Sequence, residues 1–193
     1  MKKLLVIILI SIMHITVFAQ TQWTLDKAHS KVKFTVEHMM INEMEGEFKS
    51  FDGTFISSKP DFTDAQVNFN VDVSSLSTNN EMRDNHLKSD DFFNAQQFSQ
   101  MTFKSTSINK VSDKKYQLLG NLTIRDVTKP VTFDVTYGGS VKDQRGTHVG
   151  FKATTIINRF DYNLKWNKMI EAGGAVAGQD VTITINAEFL SQQ

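Results

Sequence analysis

The amino-acid sequence predicts an all-β fold, in which about eight antiparallel strands share one core and close into a barrel in preference to a sandwich. Three observations carry this. Apolar and polar residues alternate along most of the chain. The apolar phases are filled by β-branched and aromatic residues, including 15 Phe. Gly, Asp and Asn clusters punctuate the runs. Alternation is the pattern of a half-buried strand, whose successive side chains face opposite ways, and branched or aromatic residues pack well on such a surface. A barrel is favoured because closure removes exposed edges, and none of the runs shows an edge device such as an internal proline.

In chain order, Val32, Phe34, Val36 and His38 form the first apolar phase, and Val67, Phe69, Val71 and Val73 the second. Shorter runs follow at Met101–Phe103, Leu118–Ile124 and Val149–Thr155. Val131, Phe133, Val135 and Tyr137 form one long run, and Val181, Ile183, Ile185 and Ala187 close the chain. Asp52-Gly53, Gly138-Gly139 and Gly173-Gly174 read as separators. One segment departs from period two. Near residues 79–88, Met82, His86 and Leu87 fall at helical spacing behind Asn79 or Asn80, either of which can cap a short helix.

The N-terminus reads differently. Met1-Lys2-Lys3 precedes an apolar run that ends in Val17-Phe18-Ala19, the pattern of a secretory signal peptide over residues 1–19. The run is shorter than the roughly 20 residues that span a bilayer, so no transmembrane segment is expected in the mature chain. Residues 20–193 are then one domain, and a periplasmic or secreted location is expected. There is no Cys, which excludes disulfides and thiolate metal sites. Formal charges balance at 21 basic and 21 acidic residues with no basic stripe, so nucleic acid is not an expected partner.

Several motifs together resemble the YceI-like family of bacterial polyisoprenoid-binding proteins. They are Asp26 to His38 with His29-Ser30, Val73 to Thr78 followed by Arg83-Asp84-Asn85-His86-Leu87 and Phe92-Phe93, and Met101 to Ser105. Gly120 to Val131 and Asn158-Arg159-Phe160-Asp161-Tyr162 complete the series with the closing Val181–Phe189 run. The resemblance implies an extended, lipocalin-like eight-stranded antiparallel barrel holding a long-chain isoprenoid or a fatty-acid-like amphiphile, and favours a homodimer. Two departures stand out: Asp126 where the family often has Gly, and Tyr162-Asn163 in place of Phe-Gly.

On this reading the tunnel is lined by Phe34, Val36, His38, Phe69, Val71, Phe103, Leu122, Phe133, Val135, Phe151 and Ile183, with Arg83 and His86 as headgroup contacts. An eight-stranded barrel is wide enough to be filled by its own side chains or to enclose one slender molecule. The histidines lack metal-ligand spacing, so no metal or other cofactor is expected. Asp26 and His29 are three apart but lack a nucleophile or phosphate loop, and a fixed turn is expected of them rather than catalysis. A non-enzymatic carrier is therefore the leading expectation. An enzyme acting on a lipid-like substrate through His38, His86 and Asp26, and a closed-barrel stress-related interaction protein without ligand, are its alternatives.

Overall fold

The computed structural model describes residues 20–171 and 173–191; the expected signal peptide lies outside them. Eleven strand segments and one α-helix follow in order among the described residues, with short 3-10 turns at Val73–Ser75 and Arg159–Tyr162. They are β1 (Thr21–Leu25), β2 (Lys31–His38), β3 (Asn42–Phe48), β4 (Phe51–Ser57), β5 (Gln66–Asp72), β6 (Leu76–Ser77), α1 (Glu81–Lys88), β7 (Gln100–Ser112), β8 (Lys115–Ile124), β9 (Val127–Asp143), β10 (Gly146–Asn158) and β11 (Ala177–Ser191). All pairings are antiparallel, and β1–β4–β5–β7–β8–β9–β10–β11 closes on itself through β1–β11 into an eight-stranded barrel. β2, β3 and β6 prolong β1, β4 and β5 beyond bends, so three of the eight staves are each broken once.

The bends are held by side-chain and backbone hydrogen bonds outside the regular ladder. Between β1 and β2, the buried Ser30 hydroxyl donates to the Asp26 carbonyl (2.7 Å) and accepts the Glu188 N–H (3.0 Å) from β11. The Asp26 carboxylate accepts the Ala28 N–H (3.1 Å) and lies 3.1 Å from His29 Nδ1. The His29 bond, together with that of Ala28, holds the Asp26 carboxyl below the usual carboxylate range, against a smaller opposing effect of burial. The Asp26 bonds to Ala28, His29 and Ser30 all lie within this turn, and the Ser30–Glu188 bond ties the turn to β11. At the next bend Lys49 N–H donates to the Ser75 carbonyl (3.2 Å) and Ser75 Oγ to that of Asp72 (2.6 Å).

The helix spans Glu81–Lys88, with Asn80 Oδ1 accepting the Arg83 N–H (3.0 Å) as its cap. Met82 faces solvent, because the helix lies on the barrel rim and none of its residues is fully buried. At the opposite end Trp23, Phe55, Phe62, Phe151 and Phe189 meet with ring centroids 5.4 to 6.4 Å apart and plug the barrel.

Three sequence expectations are corrected. Gly53 is no separator; it lies within β4 opposite Phe69. Gly138 and Gly139 lie within β9, beside a register shift at Gly150/Phe151. Pro130 does sit inside a strand: the Val127–Phe133 part of β9 pairs with β8 alone, so the missing N–H removes no bond on the other side.

Candidate functional site

Between the bends and the helix the barrel encloses an almost wholly apolar cavity of about 260 Å³ that is partly open to solvent. A second, smaller void of about 80 Å³ lies toward the aromatic plug. Phe69, Phe103, Phe133 and Ile185 belong to both walls and divide the two. The Phe103 and Phe133 rings meet edge to face at 5.2 Å, so the division is a packed aromatic contact.

Of the residues expected from sequence, Phe34, Val36, His38, Phe69, Val71, Phe103, Leu122, Phe133 and Ile183 line the large cavity, as do Arg83 and His86. Val135 and Phe151 line only the small one, because β9 and β10 are long enough to pass both compartments. Asp26 lies at the first bend and is not in either wall, so the cavity does not unite it with His38 and His86.

Local register explains how an eight-stranded barrel stays hollow here. Phe34 is paired with Gly46, and a Cβ at Gly46 would overlap the Phe34 ring. Phe69 lies against Gly53, its directly opposite partner, in the same manner, and Phe103 against Gly120 on β8. Each ring occupies the space a neighbouring side chain would fill. It therefore lies partly over its glycine neighbour and takes up less of the lumen than it would beside a larger side chain. Sequence alternation shows these phenylalanines as inward but not their glycine partners, since cross-strand register is not readable from one strand.

The helix side of the cavity is a network of hydrogen bonds. Arg83 Nε donates to Thr78 Oγ1 (2.7 Å) and Nη2 to the Thr78 carbonyl (3.0 Å). Asp84 accepts from the Thr78 N–H (2.8 Å) and hydroxyl. Two of the five Arg83 donors thus tie α1 to Thr78, the residue that follows β6. His86 Nε2 is 2.8 Å from Asp91, and its ring meets the edges of Phe92 and Trp166.

Arg159, from the Asn158–Tyr162 motif, donates to four backbone carbonyls. Nε reaches Gly178 (2.7 Å), Nη1 reaches Leu164 (3.0 Å) and Trp166 (2.7 Å), and Nη2 reaches Ala177 (3.1 Å). Asp161 pairs with Lys129 at 3.0 Å. Burial lowers the Arg159 pKa, and the guanidinium also stacks on Phe160 at 4.2 Å. This buried cation fixes the 159–178 connection against the start of β11. Arg125 does the same for the helix side, donating to the carbonyls of Asp90, Phe92 and Asn163. Asp126 and Asn163, which mark the two departures from the family pattern, bond to each other at 3.1 Å. Asn163 has φ 60°, a conformation that Gly or Asn adopts readily.

Sequence reasoning missed Phe48, Phe93, Ile157, Leu164, Trp166 and Val176, all of which line the cavity. Phe93, Leu164, Trp166 and Val176 come from irregular connections without periodicity. Away from the cavity, His148 stands between Glu188 (Nδ1, 2.8 Å) and Asp143 (Nε2, 3.1 Å). The Glu188 bond raises its pKa, with Asp143 adding to the shift and burial opposing it.

A family model described as the YceI-like domain matches residues 23–189. A UPF0312 protein of Staphylococcus aureus strain N315 is 37% identical over 171 residues, covering 88% of this chain and 97% of that protein. The solved YceI protein of Campylobacter jejuni superposes with TM-score 0.67 at 28% identity, covering 88% of this chain and 97% of its own. BcnA of Burkholderia cenocepacia superposes with TM-score 0.74 at 24% identity, covering 85% and 98%. A polyisoprenoid binding domain from Saccharophagus degradans gives TM-score 0.64 at 13% identity, covering 88% and 98%, which is a likeness of fold.

Proposed function

Because the chain belongs to the YceI-like family, we propose that it is an exported, periplasmic or secreted binding protein that holds a polyisoprenoid or similar long-chain amphiphile in its barrel for transport or storage. The observation that carries this is the cavity of about 260 Å³, walled by apolar side chains and kept open by the phenylalanine–glycine pairs. The polyisoprenoid binding named for the Saccharophagus degradans domain supports the choice of ligand class.

Volume limits how such a ligand sits. An engineered apolar cavity of about 150 Å³ takes up one benzene. On that scale the large compartment holds roughly ten carbon atoms, about two isoprene units. A longer chain must push apart the Phe103–Phe133 division into the smaller void, or trail out of the open end. Burial contributes about 0.8 kcal/mol per methylene with little dependence on chemical detail, so selection is by length and cross-section. The apolar walls leave the headgroup at the rim.

The test is native mass spectrometry of protein purified from its own host, followed by organic extraction and identification of the released compound. A bound long-chain lipid is expected. An empty protein that also takes up no isoprenoid alcohol in vitro overturns the proposal.

A further inference from the structure

The β2–β3 hairpin turn is built from residues its geometry disfavours. Met39 and Met40 both have positive φ, 53° and 62°, where Gly and Asn are preferred in such turns. Ile41 follows, and Met39, Met40 and Ile41 are 37%, 55% and 83% exposed. The turn combines a strained backbone with apolar surface left in water. Strain of this kind points to function when an independent feature agrees.

That feature is position. The turn continues directly from His38, a cavity-wall residue, and Met39 N–H donates to the carbonyl of Val176, another wall residue (2.9 Å). Met40 packs on Gly174 in the neighbouring connection, where Met169 is 60% exposed. Three methionines and an isoleucine therefore form one apolar rim continuous with the partly open cavity. Methionine is unbranched and adaptable, suited to an irregular apolar medium. The charges that flank these residues in sequence are mixed, with Glu37, Glu43 and Glu171 against Lys165 and Lys168, and do not favour an anionic partner.

We propose that this rim is a docking surface for a lipid bilayer. The Met39–Ile41 tip and Met169 enter the interfacial layer and bring the cavity opening against the lipids. The proposal rests on the lipid-binding reading above and adds where the ligand is taken up. A bilayer is the partner that fits, because the ligand's chain resides in one and the rim is contiguous with the cavity that would receive it. Insertion is apolar, so it is insensitive to salt, unlike docking by charge.

The experiment is flotation with neutral phosphatidylcholine vesicles, at low and high salt, using protein purified from its host. Wild type is expected to bind equally at both salts. Replacing Met39 and Met40 by Asn and Gly relieves the turn, so the thermal midpoint should hold or rise while vesicle binding falls about tenfold or more. Met40→Asp with Ile41→Asp should lose binding likewise. Uptake of geranylgeraniol added from ethanol should stay at the wild-type level in both variants, while its extraction from vesicles slows. Wild type that does not float, or variants that float equally well, overturns the proposal. So does a rim that mediates only self-association, seen as a wild-type dimer that the variants abolish without any vesicle binding. Vesicle binding that persists while neither wild type nor variants take up geranylgeraniol upholds docking and removes the ligand reading instead.

Discussion

Gly46→Ala tests whether the cavity is kept open by the ring-on-glycine arrangement. The new methyl would overlap the Phe34 ring, whose far end is the nearest obstacle, and would touch Thr78 Cγ2 at 3.0 Å. Neither obstacle is backbone, so the ring is the part that moves, and the lumen is the space available to it. A phenyl ring is a benzene-sized body, and benzene fills a cavity of about 150 Å³. A full swing would therefore remove more than half of the 260 Å³ compartment. It would displace up to about six ligand carbons at about 0.8 kcal/mol each. That is up to about 5 kcal/mol, or more than a thousandfold in affinity. Overpacking costs about 1–3 kcal/mol of stability, so the variant still folds. Titration with a fluorescent isoprenoid analogue reads the affinity, urea unfolding reads the stability, and Phe34→Ala in the Gly46→Ala background should restore binding. An unchanged affinity in folded Gly46→Ala protein, with Phe34 still against the wall, would refute the reasoning.

Further outcomes follow from the same structure. Phe103→Ala removes half of the aromatic division, so it should join the two compartments, admit longer chains and cost about 3–5 kcal/mol; competition among isoprenoid alcohols of increasing length, with urea unfolding alongside, checks both. Arg159→Met leaves four backbone carbonyls without their donor and should cost roughly 3 kcal/mol or more, measured by urea unfolding. His148 has a folded pKa raised above its ordinary 6.5 by Glu188 and Asp143. Its contribution is fully present below the unfolded value and is lost as pH rises through the folded one. The wild-type advantage in thermal midpoint over His148→Gln should accordingly shrink as pH is raised from below 6.5; an advantage that grows would contradict the assignment.

Much of the barrel was legible because strand alternation is local. Val32, Phe34, Val36 and His38 announce their inward phase without reference to any partner, and Asn79-Asn80 announces a helix start without deciding which of the two caps it. What stayed hidden depends on pairs of distant segments. Gly53 reads as a turn residue from its neighbour Asp52, and only the register with β5 shows that it lies under Phe69. Pro130 argues against an interior strand until β9 is seen to be paired on one side there. The division between compartments, which separates Val135 and Phe151 from the other expected lining residues, follows from strand length and stagger. Trp166 and Leu164 lie in a connection shaped by the carbonyl ligands of Arg159, and nothing in their local sequence marks them as wall.

The central claim is that a long apolar chain lies inside the barrel. It is tested most directly by cross-linking an isoprenoid that carries a photoreactive group at its apolar end, followed by peptide mapping. The account predicts labels on Phe69, Phe103, Phe133 and their wall neighbours at the division between compartments. Labels confined to outward-facing residues such as Thr54 or Lys152, with none on the wall, would contradict it.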